Sequence, residues 1–276
     1  MESFPTLKCY ALLVGLTSCL PVALASTLWQ PAVGATWNIQ LQNPLSTATT
    51  NGLSVWDIDL FDNSANIISA MQKKSSKVIC YFSAGSYEPN RPDSSKFHKS
   101  DLGSELDGWP GEYWLDINSQ NVRNIMLDRI KLAKQKGCDG IDPDNVDGYA
   151  NDNGLDLTSA DAVKYVEFLA EAAHEHNMSI GLKNAGGIIP DVINQMQWSV
   201  NEQCHAYDEC STFEPFIKQG KPVFHIEYPK GDKDNSESVP ATKADKICSD
   251  SAAKKFSTIL KNLNLDAWMQ TCKNAS

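Results

Sequence analysis

The sequence predicts an α/β fold, a (β/α)8 barrel of the TIM type forming a single domain, and three observations carry that reading. Eight short apolar runs of strand character are separated, in most cases, by stretches with helical periodicity, the alternation that builds a parallel sheet. The chain has 276 residues, and residues 28 to 272 run without a repeat, low-complexity tract or linker, which suits one barrel of about 250 residues. Polar residues gather where the apolar runs stop, and a barrel enzyme keeps its chemistry at the C-terminal ends of its strands.

Ahead of the barrel, Lys8 supplies a weak basic region, Cys9 to Leu20 an apolar run and Ala23-Leu24-Ala25 a small-residue cleavage pattern. Residues 1–25 therefore read as a signal peptide and 26–276 as the catalytic domain; the apolar run is short for a membrane span and no second one follows. The expected strands are Thr36 to Leu41, Leu53 to Leu60, Lys77 to Ser83, Cys138 to Pro143, Ser179 to Lys183, Trp198 to Asn201, Pro222 to Tyr228 and Phe256 to Leu260. Amphipathic helices fit Ser64 to Ser75, Asn121 to Lys136, Ser159 to Asn177, Ile188 to Gln195, Thr212 to Gln219 and Ala241 to Lys255, with Gly137 a fitting C-cap. The first connection, Gln42 to Gly52, reads as a loop.

The formal charge is −10, and loss of residues 1–25 removes one Glu and one Lys and leaves it unchanged. Such acidity argues against nucleic acid and anionic membrane as partners and admits a cationic one. The expected state is a secreted, extracellular monomer. Cys9 and Cys19 leave with the signal, and six cysteines remain in an oxidising compartment. Cys204 with Cys210 and Cys248 with Cys272 are the expected disulfides, while Cys80 and Cys138 are left open between pairing and free thiols. None has zinc-site spacing, so neither metal nor cofactor is expected.

The most informative stretch is Cys-Asp-Gly-Ile-Asp-Pro-Asp-Asn-Val-Asp-Gly-Tyr at 138 to 149. Alternation along a strand turns Asp142 and Asp144 to one face and Ile141 and Pro143 to the other. Two carboxylates on one face suit an accessible strand end, where one keeps a raised pKa and the other stays ionised. A calcium loop is a poor fit, since from Asp142 the fifth position is Val146 and the sixth Asp147 instead of Gly. Asp139 and Asp147 are open to a bland reading as turn or capping residues. The stretch is similar to the strand signature of family 18 chitinases, Asp-Gly-x-Asp-x-Asp-x-Glu, but the acid Glu falls on Val146.

The other strand ends offer Asp57 and Asp59, Tyr81 and Glu88, Asn145, Lys183 and Asn184, Asn201 and Glu202, and Glu227 and Tyr228. Lys183 also reads as a charge partner inside an acidic mouth. The long connection Ser86 to Asn118 is expected to form a binding wall and carries Trp109 and Trp114, both candidate sugar platforms, whereas Trp37 and Trp56 suit core packing.

Several ordered motifs resemble the fungal members of glycoside hydrolase family 114. They are Trp-Asn-Ile-Gln-Leu at 37 to 41, Asp-Ile-Asp-Leu-Phe-Asp at 57 to 62, Ile-Cys-Tyr-Phe-Ser-Ala-Gly-Ser at 79 to 86 and Trp-Leu-Asp at 114 to 116. Asp-Pro-Asp-Asn-Val-Asp-Gly-Tyr at 142 to 149, Gly-Leu-Lys-Asn at 181 to 184, Val-Asn-Glu-Gln-Cys at 200 to 204 and Glu-Tyr at 227 to 228 complete the set. The resemblance implies a (β/α)8 endo-α-1,4-polygalactosaminidase acting on cationic galactosamine-containing polysaccharide, with Asp144 and Glu202 as its acidic pair. Asp59, Tyr81, Glu88, Trp109, Asp142, Asn145, Lys183, Asn184, Asn201, Glu227 and Tyr228 form the expected substrate-binding set, Asp142 standing behind Asp144. Charge agrees independently, because an acidic mouth attracts a polymer of free amines. A free amine cannot serve as an internal nucleophile in the way an N-acetyl group does, so the enzyme must supply a second carboxylate. The alternative is a secreted, non-catalytic carbohydrate-binding barrel, a chitinase-like lectin; a metal-dependent deacetylase is weaker, since His225 stands alone at the strand ends. The mature extracellular chain is expected to begin at or near Ser26, and N-terminal sequencing that returned Met1 would overturn the signal reading.

Overall fold

Apolar runs of four to seven residues, ended by polar side chains, become the parallel strands. The computed structural model describes residues 28–231, 234–236 and 238–272; the expected signal segment, residues 1–25, lies outside them. In chain order the strands are β1 (Trp37–Gln40), β2 (Val55–Asp59), β3 (Lys77–Ser83), β4 (Ser86–Tyr87), β5 (Leu102–Glu105), β6 (Tyr113–Leu115), β7 (Gly140–Asp144), β8 (Ser179–Lys183), β9 (Trp198–Glu202), β10 (Val223–Glu227), β11 (Ser257–Leu260) and β12 (Gln270–Thr271). The α-helices are α1 (Ala65–Gln72), α2 (Gln120–Lys136), α3 (Ser159–Glu175), α4 (Ile189–Val192), α5 (Glu214–Lys218) and α6 (Ala241–Cys248).

Eight strands pair in parallel in the order β1-β2-β3-β7-β8-β9-β10-β11, which bears out the barrel class and the expected strand positions. The closure differs from an ideal barrel. β12 pairs antiparallel with β11 and so takes the edge that a ladder to β1 would need. Side chains bridge the seam instead: Trp37 Nε1 donates to the Ser257 carbonyl and Ser257 Oγ to the Ala35 carbonyl, both at 2.7 Å.

The long helices carry their own stop signals. Ser119 caps the start of α2 and Gly137 ends it at φ 86°, while Thr158 and Asp161 form a reciprocal capping box at α3. The later helices are shorter than periodicity suggested. α6 ends at Cys248 and not at Lys255, because Asp250 accepts the Ala252 N–H and pairs with His205, turning the chain away. The link from Gln42 to Gly52 is a loop, as expected. The wall from Ser86 to Asn118 holds a small antiparallel sheet in the order β4-β6-β5, which strands of two to four residues did not announce.

Strand alternation makes two apolar layers. Outward residues such as Ile58, Val78 and Leu182 pack beneath the helices, while Trp37, Ile39, Ile79, Trp198, Phe224 and Ile226 fill the barrel interior. Trp56 packs in the outer layer, so both Trp37 and Trp56 are core residues. Trp198 requires glycine on two strands: a Cβ at Gly140 would lie 2.5 Å from its ring, and one at Gly181 2.0 Å. Above this plug, at the C-terminal ends, the interior becomes acidic.

Three disulfides form, Cys80–Cys138, Cys204–Cys210 and Cys248–Cys272, which settles Cys80 and Cys138 as a pair. They close loops of very different length, with sequence separations of 58, 6 and 24. Chain entropy ranks their value accordingly. Removing Cys80–Cys138 is expected to cost about 4 kcal/mol and removing Cys204–Cys210 about 2 kcal/mol in urea unfolding, and the reverse ranking would show that loop entropy does not set their value.

Candidate active site

Three neighbouring strands end in a functional side chain followed by a left-handed residue. β7 stops at Asp144 before Asn145 (φ 59°), β8 at Lys183 before Asn184 (φ 46°), and β9 at Glu202 before Gln203 (φ 63°). Asn visits that region at low cost, whereas Gln203 pays about 1–2 kcal/mol. The reversal ends each strand at once and leaves its last side chain at the rim. The turns are then fastened: Asn145 Nδ2 donates to Ser83 Oγ at 3.0 Å and Ser86 Oγ at 3.1 Å. Asn184 Oδ1 accepts the Glu202 N–H at 2.9 Å, and its Nδ2 donates to Glu202 Oε2 at 3.1 Å.

In a barrel, alternate strands fill the same layer. Asp144 and Glu202 come from the fourth and sixth parallel strands and flank Lys183 from the fifth. Lys183 Nζ lies 3.0 Å from Asp144 Oδ1 and 3.1 Å from Glu202 Oε2. Tyr81 donates its hydroxyl to Asp144 Oδ2 at 2.7 Å, the Asn145 N–H donates to Asp144 Oδ1 at 2.8 Å, and Tyr228 donates to Glu202 Oε1. Burial alone would raise the pKa of Asp144, but Lys183, Tyr81 and the Asn145 N–H outweigh it and hold the carboxyl below its usual range. At Lys183 burial favours the neutral amine, and Asp144, Glu202 and Asp142 overcome it, so the ammonium persists. Tyr81 and Tyr228 are raised by burial first and by their carboxylate partners second, and remain protonated donors.

The pair lies at the floor of an open cleft of about 440 Å³. Tyr81, Glu88, Trp109, Asp144, Asn145, Lys183, Asn184 and Glu202 all line it, and Tyr228 reaches it through Glu202. Trp109 is 54% exposed on the wall, a free aromatic face. Beyond it the cleft continues into a groove of about 490 Å³ bordered by Glu105, Asp107 and Asp152.

Four expected binding residues are not brought into the cleft. Asp142 is fully buried beneath Asp144. Asp59 is 2% exposed and covered by Arg91, whose guanidinium lies 2.6 Å from its Oδ2. Asn201 and Glu227 fall on the wrong parity, since Glu202 and Tyr228 face inward and their strand neighbours face out. Asn201 Oδ1 accepts the Cys204 N–H at 3.2 Å, and Glu227 Oε1 meets the His205 N–H at 2.8 Å and His225 Nε2 at 2.9 Å.

The sequence reading missed Arg91, Glu112 and Asp147 as cleft residues. Arg91 grips Glu88 through two bonds of 2.8 and 2.7 Å, and the Glu/Arg spacing of three was the available signal. Asp147 stands in the turn before the 3-10 helix Gly148–Ala150 without a side-chain capping bond, and it lines the cleft. Asp139 caps no helix either: it accepts from Lys77 Nζ at 2.7 Å and the Val78 N–H at 2.9 Å and so ties the start of β7 to β3. Val146, at the chitinase acid's position, is 1% exposed in the outer core. Among the described residues the one cluster within metal-ligand reach is Cys204, Cys210 and His225, and its cysteines are joined as a disulfide, leaving no thiolate.

The model of glycoside-hydrolase family GH114 matches residues 20–276. The chain belongs to this family. A crystal structure of Aspergillus fumigatus Ega3 in complex with galactosamine is 58% identical, with 90% of this chain and 100% of that one covered and a TM-score of 0.87. The glycoside hydrolase domain of PelA from Pseudomonas aeruginosa is 11% identical over 86% of this chain and 98% of that one, at TM-score 0.67, a likeness of fold alone. A comparison with curated proteins found no match.

This GH114 protein carries two cleft carboxyls that titrate near neutrality. Burial is the main cause at both, reinforced by Glu88 at Glu112, raised to about 7, and by Asp144 at Asp147, raised to about 6. Each is neutral below its pKa and negative above it, so the cleft gains negative charge as pH rises from about 5 to about 7. Affinity for a small amine-bearing sugar should rise over that interval, and Glu112→Gln and Asp147→Asn should each flatten the rise in a calorimetric titration. Unchanged pH dependence in both variants would remove these carboxyls from cation recognition.

Proposed function

We propose that this glycoside hydrolase is a secreted endo-acting enzyme that cleaves α-1,4-linked galactosamine polymer of the galactosaminogalactan type, with Asp144 as nucleophile and Glu202 as general acid/base. The observation that carries the assignment is Lys183 held between the two carboxylates. Its contacts keep their nearest oxygens within about 6 Å, short of the gap of about 6.5–9.5 Å that seats a water in inverting enzymes. Double displacement with retention is the reaction this spacing supports.

Asp144, kept ionised by three donors, attacks the anomeric carbon while Glu202 protonates the departing oxygen. Esterification removes the charge of Asp144 as loss of the proton charges Glu202. Lys183 lies against both carboxyls, so the same ammonium offsets charge on either one as Asp144 is esterified and Glu202 gives up its proton. Glu202 then takes a proton from the water that hydrolyses the ester.

Substrate class is supported by the galactosamine in the Ega3 complex and by an open cleft with Glu112, Asp147 and Trp109 on its walls. An open cleft that runs on past Trp109 into a second acidic groove suits internal cleavage of a cationic chain. Disulfides at all three cysteine pairs are the chemistry of an oxidising compartment, and among the described residues no helix is long and apolar enough to cross a membrane.

Asp144→Asn and Glu202→Gln are each expected to keep fold and polymer binding while lowering turnover by at least about 10³-fold. Proton NMR of the first products should show the α anomer. Near-normal turnover in a folded Glu202→Gln protein, or β product, would overturn the assignment.

A further inference from the structure

Beneath Lys183 lies a second pair of acids that the proposed reaction does not use. Asp57 on β2 and Asp142 on β7 come from the second and fourth parallel strands, so they meet inside the barrel in one layer. Both are 0% exposed. Their carboxyls stand within hydrogen-bond reach of each other. None of the four oxygens meets a donor from any other group.

Two ionised carboxylates in that position would repel each other with no donor to offset their burial. A proton between them turns the repulsion into a hydrogen bond, as in other acid pairs held at contact distance. We propose that Asp57 and Asp142 share a proton and act as positioning residues, setting how much negative charge stands under Lys183 and Asp144. This rests on the catalytic assignment of Asp144 made above.

The neighbours define what that charge does. Asp144 on β7, Lys183 on β8 and Glu202 on β9 are the titratable groups acting on the pair, and Tyr81 on β3 stands in register with Asp142. A full charge on Asp142 draws Lys183 downward and opposes ionisation of Asp144. With the proton shared, Lys183 stays committed to Asp144 and Glu202. Burial is the largest influence raising both Asp57 and Asp142, with Asp142 reaching about 7, in keeping with a proton retained there.

The position of the charge is the testable quantity. Asp142 lies on the same strand as Asp144, two residues below it, whereas Asp57 lies two strands away, so a charge on Asp142 stands nearer Asp144 than a charge on Asp57. Asp57→Asn supplies a permanent donor and fixes the charge on Asp142, so Asp144 should ionise at higher pH. Asp142→Asn moves the charge to Asp57, so Asp144 should ionise at lower pH. The acid limb of kcat/KM against pH is therefore expected to shift in opposite directions in the two variants.

Infrared spectra of the wild-type protein at about pH 8 supply the measurement that needs no variant: a protonated-carboxyl band is expected where surface acids are ionised. One carboxyl's share of that band should be lost in each single variant. No such band in wild type overturns the shared proton. A wild-type band with loss of stability but an unmoved acid limb in both variants makes the pair structural and overturns the positioning role. If neither variant folds, Asp57→Glu keeps the acid pair while moving one carboxyl by a methylene, so the band should remain and the acid limb should shift; a lost band or an unmoved limb there overturns the proposal. Should Asp144 prove not to be the nucleophile, the wild-type band remains while the limb ceases to report on it, which separates the two failures.

Discussion

One buried ammonium organises this site. Lys183 is 3% exposed at the end of β8, and a lysine so placed keeps its charge only if carboxylates replace the lost water. Asp144 and Glu202 supply them from the strands on either side, and the same contacts set the spacing of this proposed catalytic pair. Removing the cation would leave two acids at the barrel mouth with nothing to hold them together. The three left-handed turns, the asparagine clamps and the two phenols all keep these three side chains at one height.

The barrel below is built to carry that arrangement. Trp198 plugs the N-terminal side against Gly140 and Gly181, so the polar residues occupy the C-terminal side, with Asp57 and Asp142 as the deepest acids. The gradient from apolar to acidic along the axis lets one interior provide both packing and chemistry. Around the rim, Arg91 neutralises Glu88 and covers Asp59, which leaves Glu112 and Asp147 as the cleft acids that form no ion pair among the described residues.

Alternation explains two of the four disagreements between expectation and structure at the site. Treating every polar residue at a strand end as a cleft residue placed Asn201 beside Glu202 and Glu227 beside Tyr228. Adjacent strand residues cannot both face inward. Glu227 instead joins His205 and His225 behind the disulfide Cys204–Cys210. The parity rule was available from the sequence and, applied throughout, removes both residues without coordinates.

The linear pattern of residues already establishes the class of fold, the order of its strands and the identity of Asp144, Lys183 and Glu202 as strand-end groups, because apolar runs, stop signals and alternation are local properties of the chain. It also shows that two strands carry the same Asp-x-Asp spacing, Asp57 to Asp59 and Asp142 to Asp144. Packing in three dimensions was needed to show that Asp57 and Asp142 meet while Asp59 is taken by Arg91, that Cys80 joins Cys138, and that β12 takes the edge of β11 facing β1. Those outcomes depend on strand stagger and on loops distant in sequence, and no local pattern encodes a distance across a barrel.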